Sequence, residues 1–303
     1  MRGVLPVDKP EGPTSHDVVA TARRALDTRR IGHTGTLDPF ATGLLILGVG
    51  QATKLAQYLT GLEKTYEATA RLGTATDTLD RTGAVTAESD AWEALTEPAI
   101  RAAFEDQRGE REQTPPAYSA KRVGGKKSYE LARTGQTVEL APVEVTIHTL
   151  DVLAVDGRDV RFRIRCSTGT YVRAVARDAG HALGVGAHLT ELRRTAVGPF
   201  DVVDAVSVDT LKRAGEWGAG SDAPEAAQTA RAALDTALLS PLDALAHLPR
   251  LMLDADQLRR VKHGQSIEVP GFDEGLVALV DAGELRAVGE SNGRWVRPRK
   301  VFA

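Results

Sequence analysis

The run Gly32-His33-Thr34-Gly35-Thr36-Leu37-Asp38-Pro39-Phe40-Ala41-Thr42-Gly43, followed at once by the apolar stretch Leu44 to Val49, constrains this chain most. Three glycines and a proline within twelve residues break regular structure there. The stretch after them reads as a buried strand. The chain must therefore turn tightly and enter a sheet, with one carboxylate, Asp38, held in the turn. An acid between a leucine and a proline packs poorly and suits presentation of a reactive group at a sheet edge. Turn aspartates also hydrogen-bond their own backbone, so the segment alone leaves both readings open.

The 303 residues suggest about two domains. A lone cysteine, Cys166, excludes an internal disulfide and a cysteine-rich zinc site. The first ten residues lack the apolar core of a signal peptide. The longest uncharged run, Pro39 to Thr53, falls short of the roughly 20 apolar residues a spanning helix needs. A cytoplasmic protein with no membrane association is expected. Net charge is −3, but its distribution is uneven. Arg108 to Arg133 carries seven Lys/Arg against three Asp/Glu, Arg161 to Arg194 seven against two, and Asp201 to Asp243 three against eight. Such polarity allows a basic face that binds phosphates, and it also fits ordinary solvated surfaces.

Ser15 is positioned to cap a helix running to about Asp27, with Val18, Val19, Ala22 and Leu26 on one face. Thr53 to Leu59 reads as a short helix. Lys64 to Leu72 alternates as a half-buried strand, with Tyr66, Ala68, Ala70 and Leu72 on one side. Thr96 with Pro98 opens a helix through about Gln107. Val143 to Val152 and Val160 to Cys166 read as strands; the second carries Arg161, Arg163 and Arg165 on one face, which calls for a bound anion or for acidic side chains on a neighbouring strand. Thr170 to Leu183 reads as a helix. Glu216 to Ala233, rich in Ala and Gly, reads as an insertion or linker, part of it helical. Short strands between Ser266 and Phe302 form a small β-rich unit that folds alone only marginally. Strands and helices mixed without a βαβ rhythm give an α+β fold class. The expected division is a catalytic domain at 1–213 with an insertion at about 108–142, an Ala/Gly-rich insertion and linker at 214–247, and a C-terminal domain at 248–303.

Familiar chemistries leave no signature. No phosphate-binding loop, dinucleotide fingerprint, HExxH, paired metal spacing or GxSxG elbow is present. No metal and no cofactor are expected. The distinctive groups are Asp38, the nearby His33, and scattered Tyr and Arg.

Five ordered motifs then point one way. Gly32 to Pro39 with Ala41-Thr42-Gly43 closely resembles the catalytic motif of the TruB branch of pseudouridine synthases. Val7-Asp8-Lys9-Pro10 with Gly12-Pro13-Thr14-Ser15 is similar to its N-terminal motif, and Lys64-Thr65-Tyr66 to its strand-borne tyrosine motif. Ser167-Thr168-Gly169-Thr170-Tyr171-Val172-Arg173 and His188-Leu189-Thr190-Glu191-Leu192-Arg193-Arg194 resemble two further segments. The resemblance runs in order from about Val4 to Phe200 and implies a mixed, largely antiparallel catalytic sheet. It implies isomerisation of uridine 55 in the T stem-loop of transfer RNA to pseudouridine, without cofactor. It implies Asp38 as nucleophile, Tyr66 as the aromatic stacked on the target base, Arg173 as the partner of Asp38, Tyr171 and Leu192 as pocket residues, His33 at the RNA-facing entrance, and Lys9 near the site.

The basic stretch Gln113 to Arg133, jointed by glycines and interleaved with tyrosines, resembles the RNA-gripping insertion of stand-alone bacterial members, so no guide RNA is expected; a monomer is expected as well. The C-terminal unit loosely resembles a PUA-like RNA-binding module. Two rivals differ in class: an RNA-binding folding helper without catalysis, and a hydrolase using two closely placed acids, of which the Asp38 motif supplies one.

Overall fold

The computed structural model describes residues 3–119, 121–123, 126–128, 140–216 and 225–302. In chain order the strands are β1 (Gly3–Lys9), β2 (Ile31–His33), β3 (Thr42–Val49), β4 (Lys64–Leu72), the hairpin β5 (Thr74–Thr76) and β6 (Val85–Glu88), β7 (Gly109–Gln113), and the short pair β8 (Arg122–Val123) and β9 (Lys126–Lys127). There follow β10 (Val143–Asp156), β11 (Asp159–Cys166), β12 (Ala187–Val197), β13 (Phe200–Asp201) and β14 (Val206–Ser207). The C-terminal strands are β15 (Arg250–Met252), β16 (Ile267–Glu268), β17 (Gly275–Asp281), β18 (Glu284–Ser291) and β19 (Trp295–Val301). The main sheet has ten strands and runs β14-β1-β3-β12-β4-β11-β10-β7, with β2 on β3 and β13 on β12. Only β1 with β14 and β3 with β12 pair in parallel, so the sheet is mixed and largely antiparallel, and the fold class is α+β.

The Leu44 to Val49 run is continuously apolar because β3 is buried on both faces. Leu44 and Ile46 join a cluster with Leu55 and Leu59. Leu45, Leu47 and Val49 pack on the other side against Val18, Ala22, Leu211 and Leu234. The cap of helix Ser15–Ala25 lies one residue earlier than expected. Thr14 is its N-cap, in a capping box with Asp17, and this frees Ser15 for another task. Thr96 caps helix Glu97–Glu105 as the sequence implies. The arginine face of β11 finds its acids: Arg163 pairs with Glu67 at 2.7 Å and Arg165 with Glu63 at 3.0 Å.

Two features add to what the sequence offers. The Ala-rich stretch is more than a linker. Helix Glu225–Ala237 buries Ala230 and Leu234 against the first helix and β1, and Val4 and Leu239 exchange backbone hydrogen bonds of 2.9 Å in both directions. The C-terminal sheet, ordered β15-β17-β18-β19-β16, packs on both of its faces. One face packs with Val261 and Ile267, while Ala278, Val280, Val288 and Phe302 share a core with Leu44 and Ile46 of the main sheet and Leu59 of the short helix Ala56–Leu59. The core it lacks by itself is completed by the larger sheet. Among the described residues no helix is long and apolar enough to cross a membrane.

Gly43 shows how tightly the turn is fitted. Its φ is +101°, and a Cβ there would lie 2.8 Å from the Arg194 nitrogen and closer still to the Arg194 carbonyl oxygen. Both the left-handed backbone and the contact exclude a side chain. Gly43→Ala is expected to cost about 3 kcal/mol in urea unfolding. A change within about 0.5 kcal/mol would contradict this fit.

Candidate active site

Asp38 lies in the turn between β2 and β3, and neighbours on β1, the first helix, the loop between them and β12 pin that turn. Ser15 Oγ, freed from capping, accepts from Leu37 N at 2.9 Å and donates to Leu37 O at 3.2 Å. Gly12 N donates to Pro39 O at 2.9 Å. Lys9, at the end of β1 and fully buried, donates from Nζ to Pro10 O (2.9 Å), Pro13 O (3.0 Å) and Pro39 O (3.3 Å). Arg194, on β12, donates to Leu44 O (2.6 Å), Gly35 O (3.1 Å) and Thr36 O (3.4 Å). The chain thus commits two buried cations to carbonyls around one acid. Burial pushes the Lys9 ammonium down to about 8, against the opposing pull of Asp38.

Arg173 sits in the first turn of helix Val172–Ala182 and is 5% exposed in its side chain. Its Nε reaches Asp38 Oδ2 at 3.0 Å. Nη1 reaches Asp80 Oδ2 at 3.3 Å and Thr78 O at 2.6 Å, and Nη2 donates to Tyr118 O at 2.9 Å. This fork spans two carboxylates and two carbonyls, the geometry a planar guanidinium serves best. Asp80 is itself held by Thr82 N (2.9 Å) and Thr78 Oγ1 (2.9 Å) on Oδ1. Asp38 remains 35% exposed, so it alone of the two carboxylates is open to a substrate. Desolvation raises its pKa above the ordinary carboxylate value. The Asp80 charge adds to this, while Arg173 foremost, then Lys9 and Arg194, act against it. The second carboxylate that a hydrolase would need is present in Asp80 but buried and occupied, with 5% side-chain exposure.

Tyr66 and Leu192, each 8% exposed, join Leu37 and Phe40 in the core cluster beneath the turn. Tyr66 lies directly opposite Arg194 across the β4–β12 ladder. Burial raises the Tyr66 hydroxyl above its usual value, and the Arg194 charge opposes this. Tyr171 is the N-cap of the Arg173 helix. It is fixed by Gln113, whose Oε1 accepts from Tyr171 N at 2.8 Å and whose Nε2 donates to Tyr171 O at 3.2 Å. His33 stands at the end of β2, edge-on to His16 with ring centroids 5.2 Å apart. Burial foremost, then the neighbouring His16 and Arg194 charges, lower its pKa.

Asp38, Arg173 and Lys9 are therefore brought together, Tyr66 and Leu192 lie beneath them, and Tyr171 begins the helix that carries Arg173. Sequence reasoning missed Asp80, Gln113 and the role of Arg194. Asp80 carried a faint signal, a run of Thr, Asp and Gly from Thr76 to Gly83 that marks a hydrogen-bonded turn. Gln113 carried none. Much of the basic insertion, including Gly124, Gly125 and 129–133, lies outside the described residues. Among the described residues no three His, Cys, Asp or Glu side chains converge as a metal set would.

The chain is similar to known proteins in sequence and fold. The family model described as TruB family pseudouridylate synthase, N-terminal domain, matches residues 23–172, and that of the tRNA pseudouridylate synthase B C-terminal domain matches 173–246. A tRNA pseudouridine synthase B of Aromatoleum aromaticum is 46% identical over 96% of this chain and 89% of its own length. That of Thermobifida fusca is 42% identical over 99% and 98%. Among solved structures, a Cbf5-Nop10-Gar1 complex matches with TM-score 0.75 and 29% identity over 99% of this chain and 85% of the other. An H/ACA RNP bound to a substrate RNA containing 2′-deoxyuridine matches with TM-score 0.72 and 28% identity over the same shares. The chain belongs to the TruB family of pseudouridylate synthases, which are isomerases.

Proposed function

We propose that this protein converts uridine 55 in the T loop of transfer RNA to pseudouridine, with Asp38 as nucleophile on a flipped-out base. The observation that carries the reading is the buried Arg173 fork, which holds Asp38 at 3.0 Å and leaves that carboxylate partly exposed. Extruding the uridine costs a few kcal/mol, about 2–4, which phosphate contacts and a wedge at His33 offset. Asp38 then attacks C1′ or supports the cation there, and the C1′–N1 bond breaks with its electron pair on N1. The base turns, C5 bonds to C1′, and the C5 proton is lost while N1 gains one. Tyr66 stacks on the base, Tyr171 and Leu192 shape its pocket, and Lys9 keeps the turn in place.

The relatives named tRNA pseudouridine synthase B support the transfer-RNA substrate. The insertion at about 108–142 supports a protein that reads its RNA without a guide, and the lone Cys166 suits the reducing cytoplasm; the reading takes the protein as a monomer. The domain division at 1–213, 214–247 and 248–303, the last PUA-like and RNA-binding, completes the reading.

The test is release of tritium from C5 of uridine in a T stem-loop RNA by the purified chain. Stoichiometric release from the single target uridine is expected. A chain that binds this RNA and releases nothing would make it a binding protein instead.

A further inference from the structure

Arg194 is 2% exposed, as deeply buried as Arg173, yet among the described residues no carboxylate lies within 4.0 Å of it. Its guanidinium is held by the neutral carbonyls of Leu44, Gly35 and Thr36. Two other cations nearby are held in the same way. Lys9 meets three carbonyls. Lys64, two residues before Tyr66, donates to Thr60 O (2.6 Å), Leu62 O (2.6 Å) and Thr168 Oγ1 (3.1 Å). Arg194 repels both lysines. Around Tyr66 and Asp38 the chain thus buries four cations, Lys9, Lys64, Arg173 and Arg194, against the carboxylates Asp38 and Asp80, both already bound to Arg173.

Buried charges are normally paired, since leaving one unpaired is costly. An uncompensated positive charge retained at an active site suits an anion that is present only during the reaction. The reaction proposed above produces one. When C1′–N1 breaks with its pair on N1, uracil is an anion, with charge spread over its two carbonyl oxygens, until C5 rejoins C1′. Arg194 is the cation directly opposite Tyr66, on which that base would stack.

We propose that Arg194 is a positioning residue with two joint tasks: its carbonyl contacts hold the Asp38 turn, and its uncompensated charge, placed beside Tyr66 across the β4–β12 ladder, stabilises the departing uracil anion. This rests on the isomerase reading and deepens it.

The experiment compares full-length wild type, Arg194→Gln and Arg194→Lys on T stem-loop RNA carrying either uridine or 5-fluorouridine at the target. Single-turnover loss of the C1′–N1 bond is followed. The fluorinated base is more acidic, so its anion needs less help. Arg194→Gln is expected to slow uridine about a hundredfold but fluorouridine only about tenfold. Arg194→Lys keeps the charge and is expected to show a wild-type ratio of the two rates at pH 7. Divided by the wild-type value at the same pH, which cancels the titration of Lys9, Lys64 and the base itself, the fluorouridine-to-uridine rate ratio of this variant should rise above about pH 8, because a buried ammonium loses its proton there while a guanidinium does not. A merely structural role would slow both substrates equally in the Gln variant and leave the ratio in the Lys variant, taken relative to wild type at each pH, flat. Either result overturns the proposal, as does weakened RNA binding with an unchanged ratio, which would assign the charge to a phosphate. Should the Gln variant not fold, the pH dependence of the Lys variant decides. Wild-type failure on both RNAs overturns the isomerase reading and this inference together.

Discussion

Asp38→Asn is expected to lower isomerisation by roughly 10⁴-fold or more, the scale of removing a nucleophile, while binding of T stem-loop RNA changes only modestly. The same substitution should not weaken the fold. Burial, then the charge of Asp80, raise the Asp38 pKa over the opposition of Arg173. A carboxyl with a higher pKa folded than unfolded binds its proton more tightly in the folded state. Its contribution to stability is fully present below the unfolded value and is lost as pH rises through the folded one. Asn has no proton to lose. The melting temperature of Asp38→Asn should therefore gain on that of wild type as pH rises from the ordinary carboxylate range through the raised Asp38 value. Retained turnover would remove Asp38 from the chemistry, and a variant that falls further behind wild type as pH rises would contradict the electrostatics. With the expected outcome, the site is a place where stability is given up for reactivity.

Arg173→Met is expected to cost both activity and fold. The guanidinium is 5% exposed and bridges Asp38, Asp80 and the carbonyls of Thr78 and Tyr118. Methionine fills much of the volume but leaves Asp80 as a buried carboxylate without its cation. Breaking a buried pair from one side costs about 3–5 kcal/mol. Urea denaturation should show that loss, and turnover should fall with it because Asp38 would no longer be held. A second change, Asp80→Asn, removes the stranded charge and should restore part of the stability without restoring activity. If the double variant were no more stable than Arg173→Met alone, the Asp80 contact would be incidental. Arg173→Lys should fall between, since an ammonium keeps the charge but cannot span the fork.

How far these groups can be read from the chain differs from residue to residue. Lys64 to Leu72, whose alternation is strict, is legible to its ends. β10 is legible from its start at Val143, but it continues past Val152 to Asp156, where exposed residues hide the strand pattern. The first helix is legible, but Thr14 and Ser15 are equally good caps by type. Only the Leu37 backbone, twenty-two residues on from Ser15, decides which of them is spare. Ala-rich 225–237 reads as a linker because small residues bury little surface, and its packing on β1 becomes visible only in three dimensions. Asp80 and Gln113 are polar residues whose partners, Arg173 and the Tyr171 backbone, stand 93 and 58 residues away.

The sequence by itself determined the α+β class, the buried β3, and the membership of Asp38, Tyr66, Arg173 and Leu192 in one ordered motif set. Each is encoded locally, in periodicity, turn chemistry or motif spacing. The tertiary structure alone decided that Arg173 is shared between Asp38 and Asp80, that the C-terminal sheet completes its core on the larger one, and that Arg194 is held by carbonyls with no carboxylate in reach among the described residues. Those depend on which distant residues meet and on how far water is excluded where they do, and neither is written in any local stretch of the chain.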